Sequence, residues 1–439
     1  MKELLDDILS EAKKRGAESA EVYHVSTEET PVRFEANRLK ELNARQTAGV
    51  AVRVIAGGRI GFASSTRPGD VEDVVAAALD TAPFGPEAKF SFPPNAEPAT
   101  VKTYDPAIEN LTTDQMIETG KTLVETVREV EPELQCDASI RRARGTVALA
   151  NSNGGYFTHR ASSVSAWLHG TLIRGTDMLF VGGADASCSP ILNTDEITGD
   201  VILQLERCKQ NADTKTAELP VIFTSLGVAE ALLGPLIMAF SGRLVFQGQS
   251  PLVDSLGEAK YDSRVSISDD ATLPMRVGSR PFDDEGVPSR KIPLIAAGVV
   301  SNFTYDLQTA ALAGARSTGS AQRALTTQPA IGSANIIVEP GESTFDEMVR
   351  SVKDGIIVEE LMGAGQGNVM GGDFSGNVLL GYKVENGEIV GRVKNTIVAG
   401  NVHESLNCIA MLGKETRWVG GTIQTPPIMI EHLAVSAGS

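Results

Sequence analysis

Over the first fifteen residues apolar side chains fall at Leu4, Leu5, Ile8, Leu9 and Ala12 with acids and lysines between them. This spacing predicts an amphipathic helix that stops at Gly16, where a glycine can take the left-handed C-cap conformation. The period then changes to two. Short alternating runs at Ala20–Ser26, Val32–Ala36, Leu39–Thr47, Gly49–Ile55 and Arg59–Ser64 predict an antiparallel meander, with Gly57-Gly58 as its tightest turn. A second helix follows Pro68-Gly69-Asp70 and carries Val71, Val74, Val75, Ala78 and Leu79 along one face, so it covers one side of that sheet. Five prolines between Pro83 and Pro98 forbid helix or central strand and predict an extended strap. Thr112-Thr113-Asp114 caps a helix running to about Val130, strands resume at Cys136–Arg142 and Thr146–Ala150, and a long β run continues through His169. A helix from Thr194 to about Asn211 closes the first half.

The second half opens with a strand at Leu219–Thr224 and a strongly apolar helix, Leu226–Phe240, in which Glu230 is the single carboxylate. Further strands are predicted at Lys291–Ala296, Val299–Tyr305, Gly355–Leu361, Asn377–Val384, Glu388–Val393 and Ile428–Val435, with Ala297-Gly298 and Asn386-Gly387 as hairpin turns. Gly314–Pro329, polar and without period, reads as a mobile loop long enough to carry function. The pattern predicts an α+β protein of two domains, residues 1–215 and 216–439. Each is a mainly antiparallel sheet with packed helices, and the C-terminal sheet can close into a barrel.

Composition narrows the function classes. Fifty-six acids against 39 bases leave a formal charge of −17, which disfavours broad attraction to nucleic acid or an anionic membrane. No run reaches the ~20 apolar residues that cross a bilayer. The four cysteines, Cys136, Cys188, Cys208 and Cys408, form no CxxC pair and no disulfide-scaffold spacing. Reduced thiols and a cytoplasmic location are the expectation.

The candidate chemistry lies in two stretches. Pro281-Phe-Asp-Asp-Glu-Gly-Val-Pro288 places Asp283, Asp284 and Glu285 side by side on a tight turn. Adjacent carboxylates do not all point one way, and cation loops space their ligands, so the turn reads as one that accepts from backbone amides or pairs with Arg280 and Arg290. Gly363–Gly372 is glycine-rich but lacks a Gly-Lys-Ser/Thr ending, and strand follows it rather than helix. Small residues beside an open sheet edge would admit an extended peptide, backbone to backbone. Candidate substrate- or partner-contact residues are therefore Asp283, Asp284, Glu285, Gly365, Gly367, Gly371 and Gly372. His159 and His169 share a strand face too far apart for one metal, and His403, Cys408 and His432 follow no metal-ligand spacing.

The acidic turn with the hairpin behind it resembles the signature region of the TldD/TldE family, also called PmbA or modulator of DNA gyrase proteins, and the likeness runs over nearly the whole chain. That resemblance implies a choice between a zinc protease subunit of the TldD type and a TldE/PmbA type without the metal. The protease type carries His-Glu-x-x-x-His on the helix after the first strand of its second domain and a cysteine near its C-terminus. Here the matching helix reads G-V-A-E-A-L-L-G-P-L-I-M-A-F, and the position matching the cysteine is Leu412. The resemblance is thus to the TldE/PmbA type. It implies no catalytic residue, metal ligand or cofactor in this chain. Zinc is expected in a TldD-like partner, in a homo- or heterodimeric complex that degrades unfolded or extended peptides. A self-sufficient hydrolase and a regulatory binding protein of DNA gyrase are the alternatives.

Overall fold

The computed structural model describes residues 1–67, 69–190 and 192–438; Pro68, in the lead-in to the second helix, lies outside the described residues. Strand outweighs helix, 41% to 24%, and the sheets are mostly antiparallel, so the class is α+β.

The N-terminal half begins with α1 (Lys2–Lys14), whose Leu5, Ile8 and Ala12 are buried. It is built on a twisted sheet of β1 (Ser19–Glu35), β2 (Arg38–Leu42), β3 (Arg45–Ala56), β4 (Arg59–Ser65), β5 (Gln135–Asn151), β6 (Tyr156–Arg174) and β7 (Asp177–Ser187). The strand order is β4-β3-β1-β5-β6-β7, with β2 paired to β1. The runs expected at Ala20–Ser26 and Val32–Ala36 are one strand, because β3 and β5 pair with β1 on either side across the intervening polar residues. Gly57 and Gly58, at φ 57° and 69°, make the β3–β4 turn, the mirror-image turn that matches strand twist.

Both faces of this sheet are covered. α1 and α2 (Val71–Thr81) pack on Val22, Val50, Val52 and Val54. α3 (Thr113–Val130), fastened by a capping box between Thr112 and Gln115, and α4 (Thr194–Arg207), capped by Asn193, pack on the β5–β7 side. Tyr23, Ala51, Leu149 and Phe157 instead meet Phe282 of the C-terminal half.

In the C-terminal half, β8 (Ala217–Phe223), β9 (Asp354–Met362), β10 (Asp373–Glu385), β11 (Thr396–Asn401) and β12 (Ile428–Ala437) close into a barrel. β8 and β9 run parallel, and the other four pairings are antiparallel. Strand alternation divides the side chains. Val221, Phe223, Ile356 and Val358 face the barrel core, while Ile222 and Ile357 join the layer containing α3 and α4. A second sheet, which includes Ile267–Asp270, Lys291–Ala296 and Ile336–Val338, shares the barrel core. No helix among the described residues is long and apolar enough to cross a membrane.

Candidate functional site: the acidic turn, the glycine loop and the apolar helix

The turn at 283–286 is set by one side chain. Asp283 Oδ1 accepts from the backbone N–H of Glu285 (3.0 Å) and of Val287 (2.9 Å), and Oδ2 accepts from Ala321 N–H (3.0 Å). Gly286 closes the turn at φ 80°. The turn is pressed against the N-terminal sheet, where Arg53 of β3 donates to Glu285 Oε1 (2.7 Å) and to Glu21 Oε2 of β1 (3.1 Å). Leu307 N–H occupies Glu285 Oε2 (2.7 Å). Arg323 stacks on the Tyr23 ring at 4.2 Å, lies 2.9 Å from Glu21 Oε1, and donates to the Asp284 carbonyl. Its backbone N–H reaches Asp284 Oδ2 (2.8 Å).

One expectation is corrected here: the turn's ion pair is made by Arg53 with Glu285 and not by Arg280 or Arg290, while Arg323 pairs with Glu21. Asp283 and Glu285 are 0% and 1% exposed and Arg53 is 3% exposed, so these two acids face the inside of the chain, against the N-terminal sheet. The covering layer is the N-terminal sheet, a contact between residues more than 200 positions apart. Burial drives the Asp283 carboxyl upward and the charge of Glu285 adds to it, to about 7, against the opposing pull of the three N–H groups.

Gly314–Pro329 is likewise tied down. Ala321–Gln322 pairs with Ala330–Ile331, and Ser320 and Ala321 are buried. Its polar small residues supply backbone donors to the acidic turn, which is why it has no apolar period and yet is not loose.

Gly363–Gly372 joins β9 to β10. The flanking strands pair with each other up to Met362 and Asn377, and Gly365 bridges Ser375. The expected open edge beside the loop is absent, because the loop folds back onto a strand already in the barrel. Gly365 and Gly367 are exposed, Gly371 is half-buried and Gly372 is buried. The loop and the acidic turn occupy separate places. The loop packs toward Asn401 and His403, the turn toward Glu21 and Arg53. At Gly372, φ is 94° and an added Cβ would lie 2.4 Å from the His403 ring. Gly372→Ala should therefore cost about 1–2 kcal/mol, whereas Gly365→Ala, with nothing within 4 Å of its Cβ, should stay within about 0.5 kcal/mol. Chemical denaturation of the two variants checks this.

The apolar helix is continuous over 225–239 and widens into π-helical turns at Val228–Leu233, just before Pro235. Leu232, Leu233 and Leu236 fill the barrel core together with Leu412, which is 4% exposed. Glu230, on the exposed side of the helix, is pushed up to about 7 by desolvation, with the charge of Glu360 adding to it. His403 Nδ1 is 2.9 Å from the Tyr261 hydroxyl. The β12 pairing brings Glu431 N–H to the Cys408 carbonyl (3.0 Å), nearer to His432 than the sequence spacing suggested. Even so, among the described residues no group of three or more His, Cys, Asp or Glu side chains is placed to hold a metal ion. Zinc sites take at least three such ligands, and leucines packed in a core do not fit the ion.

Residues 216–437 match the sequence profile of the PmbA/TldA metallopeptidase C-terminal domain, and residues 20–82 match that of PmbA/TldA metallopeptidase domain 1. The chain belongs to the TldD/TldE (PmbA) family. A protein named metalloprotease from Methanothermobacter thermautotrophicus is 24% identical over 94% of this chain and 91% of its own length. The metalloprotease PmbA of Escherichia coli O157:H7 is 30% identical over 50% of this chain and 46% of its own. The crystal structure of TldE from Thermococcus kodakarensis has the same fold, with a TM-score of 0.89 over 99% of this chain and 100% of that one at 22% identity.

Sequence reasoning missed Glu21, Arg53 and Arg323. A signal existed for the first two: each interrupts an otherwise apolar strand, and they are direct cross-strand partners in the β1–β3 register. An inward charge in such a run calls for an opposite charge beside it.

Proposed function

We propose that this chain is the non-catalytic, TldE/PmbA-like subunit of a TldD/TldE-type metalloprotease complex acting on unfolded or extended peptides. Residues 1–215 and 216–439 serve as its two domains, and zinc and the zinc-activated water reside in a TldD-like partner. The observation that carries this reading is the helix at 225–239. In a metallopeptidase family, it presents leucines and a proline to the interior, and the Leu412 segment that packs with it brings no thiolate. A family scaffold kept with a hydrocarbon interior at that place supplies surface and shape rather than Lewis-acid chemistry.

The purified chain should carry less than about one-tenth equivalent of zinc by elemental analysis. It should not hydrolyse casein or short peptides alone, and should support hydrolysis when a His-Glu-x-x-x-His family member is added. Stoichiometric zinc lost in His403→Ala would overturn the reading. So would hydrolysis by the isolated chain that disappears in Glu230→Gln, which would instead favour a self-sufficient hydrolase centred on Glu230.

A further inference from the structure

A cavity of about 260 Å³ opens where α4 and β7 of the N-terminal half meet the start of the 225–239 helix and the 415–420 segment. Its volume lies just below the ~300–1,000 Å³ range of ligand pockets, which suits one large side chain better than a cofactor. Leu203, Leu226, Phe345, Trp418, Val419 and Pro427 supply apolar walls. Leu203 is 46% exposed, so the wall reaches solvent and the cavity can be entered.

The polar part is concentrated on one side. Ser225 is only 6% exposed, lines the cavity, and its hydroxyl has no hydrogen-bond partner among the described residues. The N–H groups of Ser225 and Leu226 belong to the first turn of the helix and have no intrahelical acceptor, and Thr224 Oγ1 caps Gly227 N–H (3.3 Å) instead. Arg207 also lines the cavity. One of its N–H groups points at Glu359 (3.4 Å), and its guanidinium lies over the rings of Phe345 and Tyr382 at 5.4 and 5.3 Å. Its remaining donors have no protein acceptor among the described residues. The carboxylates at the cavity are otherwise engaged: Asp200 takes a two-pronged contact from Arg417 (2.7 and 2.8 Å), and Glu415 stands 3.7 Å from Lys414. Three acids against two arginines line the space, so the local field disfavours a free carboxylate and suits a neutral acceptor.

We propose that this cavity receives a bulky apolar side chain from within an extended polypeptide, whose backbone carbonyl accepts from the Ser225 and Leu226 N–H groups and from Arg207. Donors directed at a carbonyl oxygen read no sequence, and the aromatic and aliphatic walls select for size. This assigns a substrate class, chains with exposed aromatic or large aliphatic residues, and it rests on the reading of the protein as a peptide-handling subunit.

The test uses the full chain carrying Trp167→Phe, which leaves Trp418 as the only tryptophan. Acetyl-Ala-Phe-Ala-amide, acetyl-Ala-Ala-Ala-amide and acetyl-Ala-Phe-Ala free acid are titrated by Trp418 fluorescence and by calorimetry. The phenylalanine amide should bind at least tenfold more tightly than the alanine amide. Leu226→Trp, which fills the cavity, should lose at least tenfold, and Leu203→Asp, at an exposed position of α4, should do the same with an unchanged melting temperature. Equal affinity for the two amides, or undiminished binding in a folded Leu203→Asp, overturns the proposal, and tenfold preference for the free acid overturns its internal-segment form. Peptide binding without any support of partner hydrolysis would leave the cavity assignment standing and remove the subunit reading. Normal hydrolysis by the complex, with KM for phenylalanine peptides unchanged in Leu203→Asp, would remove the cavity assignment alone.

Discussion

Arg53→Ala lowers the free energy of unfolding by about 3–5 kcal/mol, the cost of stripping the counter-ion from buried charges. Arg53 is the shared donor to Glu21 and Glu285, all three at 3% exposure or less, and its guanidinium also lies over Phe90 and Phe92 at 4.9 and 5.2 Å. With the arginine gone, Glu285 faces Glu21 across a desolvated gap, and only Glu21 retains a cation, Arg323. The pairing of Arg53→Met with Glu285→Gln should cost less than Arg53→Ala alone, because it removes the unpaired charge as well as the cation. Urea denaturation of the three proteins checks the order. A mild effect of Arg53→Ala, within about 1 kcal/mol, would show that water replaces the guanidinium and that the two halves are not latched by this charge. Because the latch joins β3 to the 283–286 turn, the loss should appear as reduced cooperativity between the halves as well as a lower midpoint.

Asp283→Ala should destabilise by about 3 kcal/mol or more, since it leaves three buried N–H groups without an acceptor at roughly 1–3 kcal/mol each, not fully additive. Asp283→Asn keeps an acceptor for Glu285 and Val287 but turns an amide toward Ala321 N–H, so its cost should be intermediate. The two variants also separate in their response to pH. In the unfolded chain an aspartate titrates near ~3.9, whereas burial beside Glu285 raises Asp283 to about 7 in the fold. Between those values the folded state holds a proton that the unfolded state has released. The contribution of this carboxyl to stability is therefore fully present below about pH 4 and is lost as pH rises through about 7. The difference in unfolding free energy between the parent and Asp283→Asn should shift in Asn's favour over that interval. A difference that does not change with pH would mean that the three N–H donors hold Asp283 ionised throughout.

Much of the local structure was legible in advance because local causes produce it. Thr112 caps a helix where a capping residue precedes an apolar period. Ala297-Gly298 and Asn386-Gly387 take positive φ in the hairpins they were expected to make. The barrel closure was admitted by the strand pattern but not required by it, since the parallel pairing of β8 with β9 joins strands more than 100 residues apart. Gly314–Pro329 was misjudged as mobile for one reason. Polarity and lack of period mark a segment without its own apolar face, and such a segment is loose only when nothing else claims its backbone donors. Asp283 and Asp284 claim those of Ala321 and Arg323.

The sequence by itself determined the class, most element positions and the family likeness. Each of these depends on residue type or on short-range periodicity, both of which are present in the chain before it folds. Only the tertiary structure decided that Asp283 and Glu285 of the acidic turn are buried against the N-terminal sheet, and that a cavity lies between α4 and the 225–239 helix. The physical reason is that burial is a property of what covers a residue. Glu21, Arg53, Glu285 and Arg323 come from four distant stretches, and no local rule states which of them will share one water-excluded space.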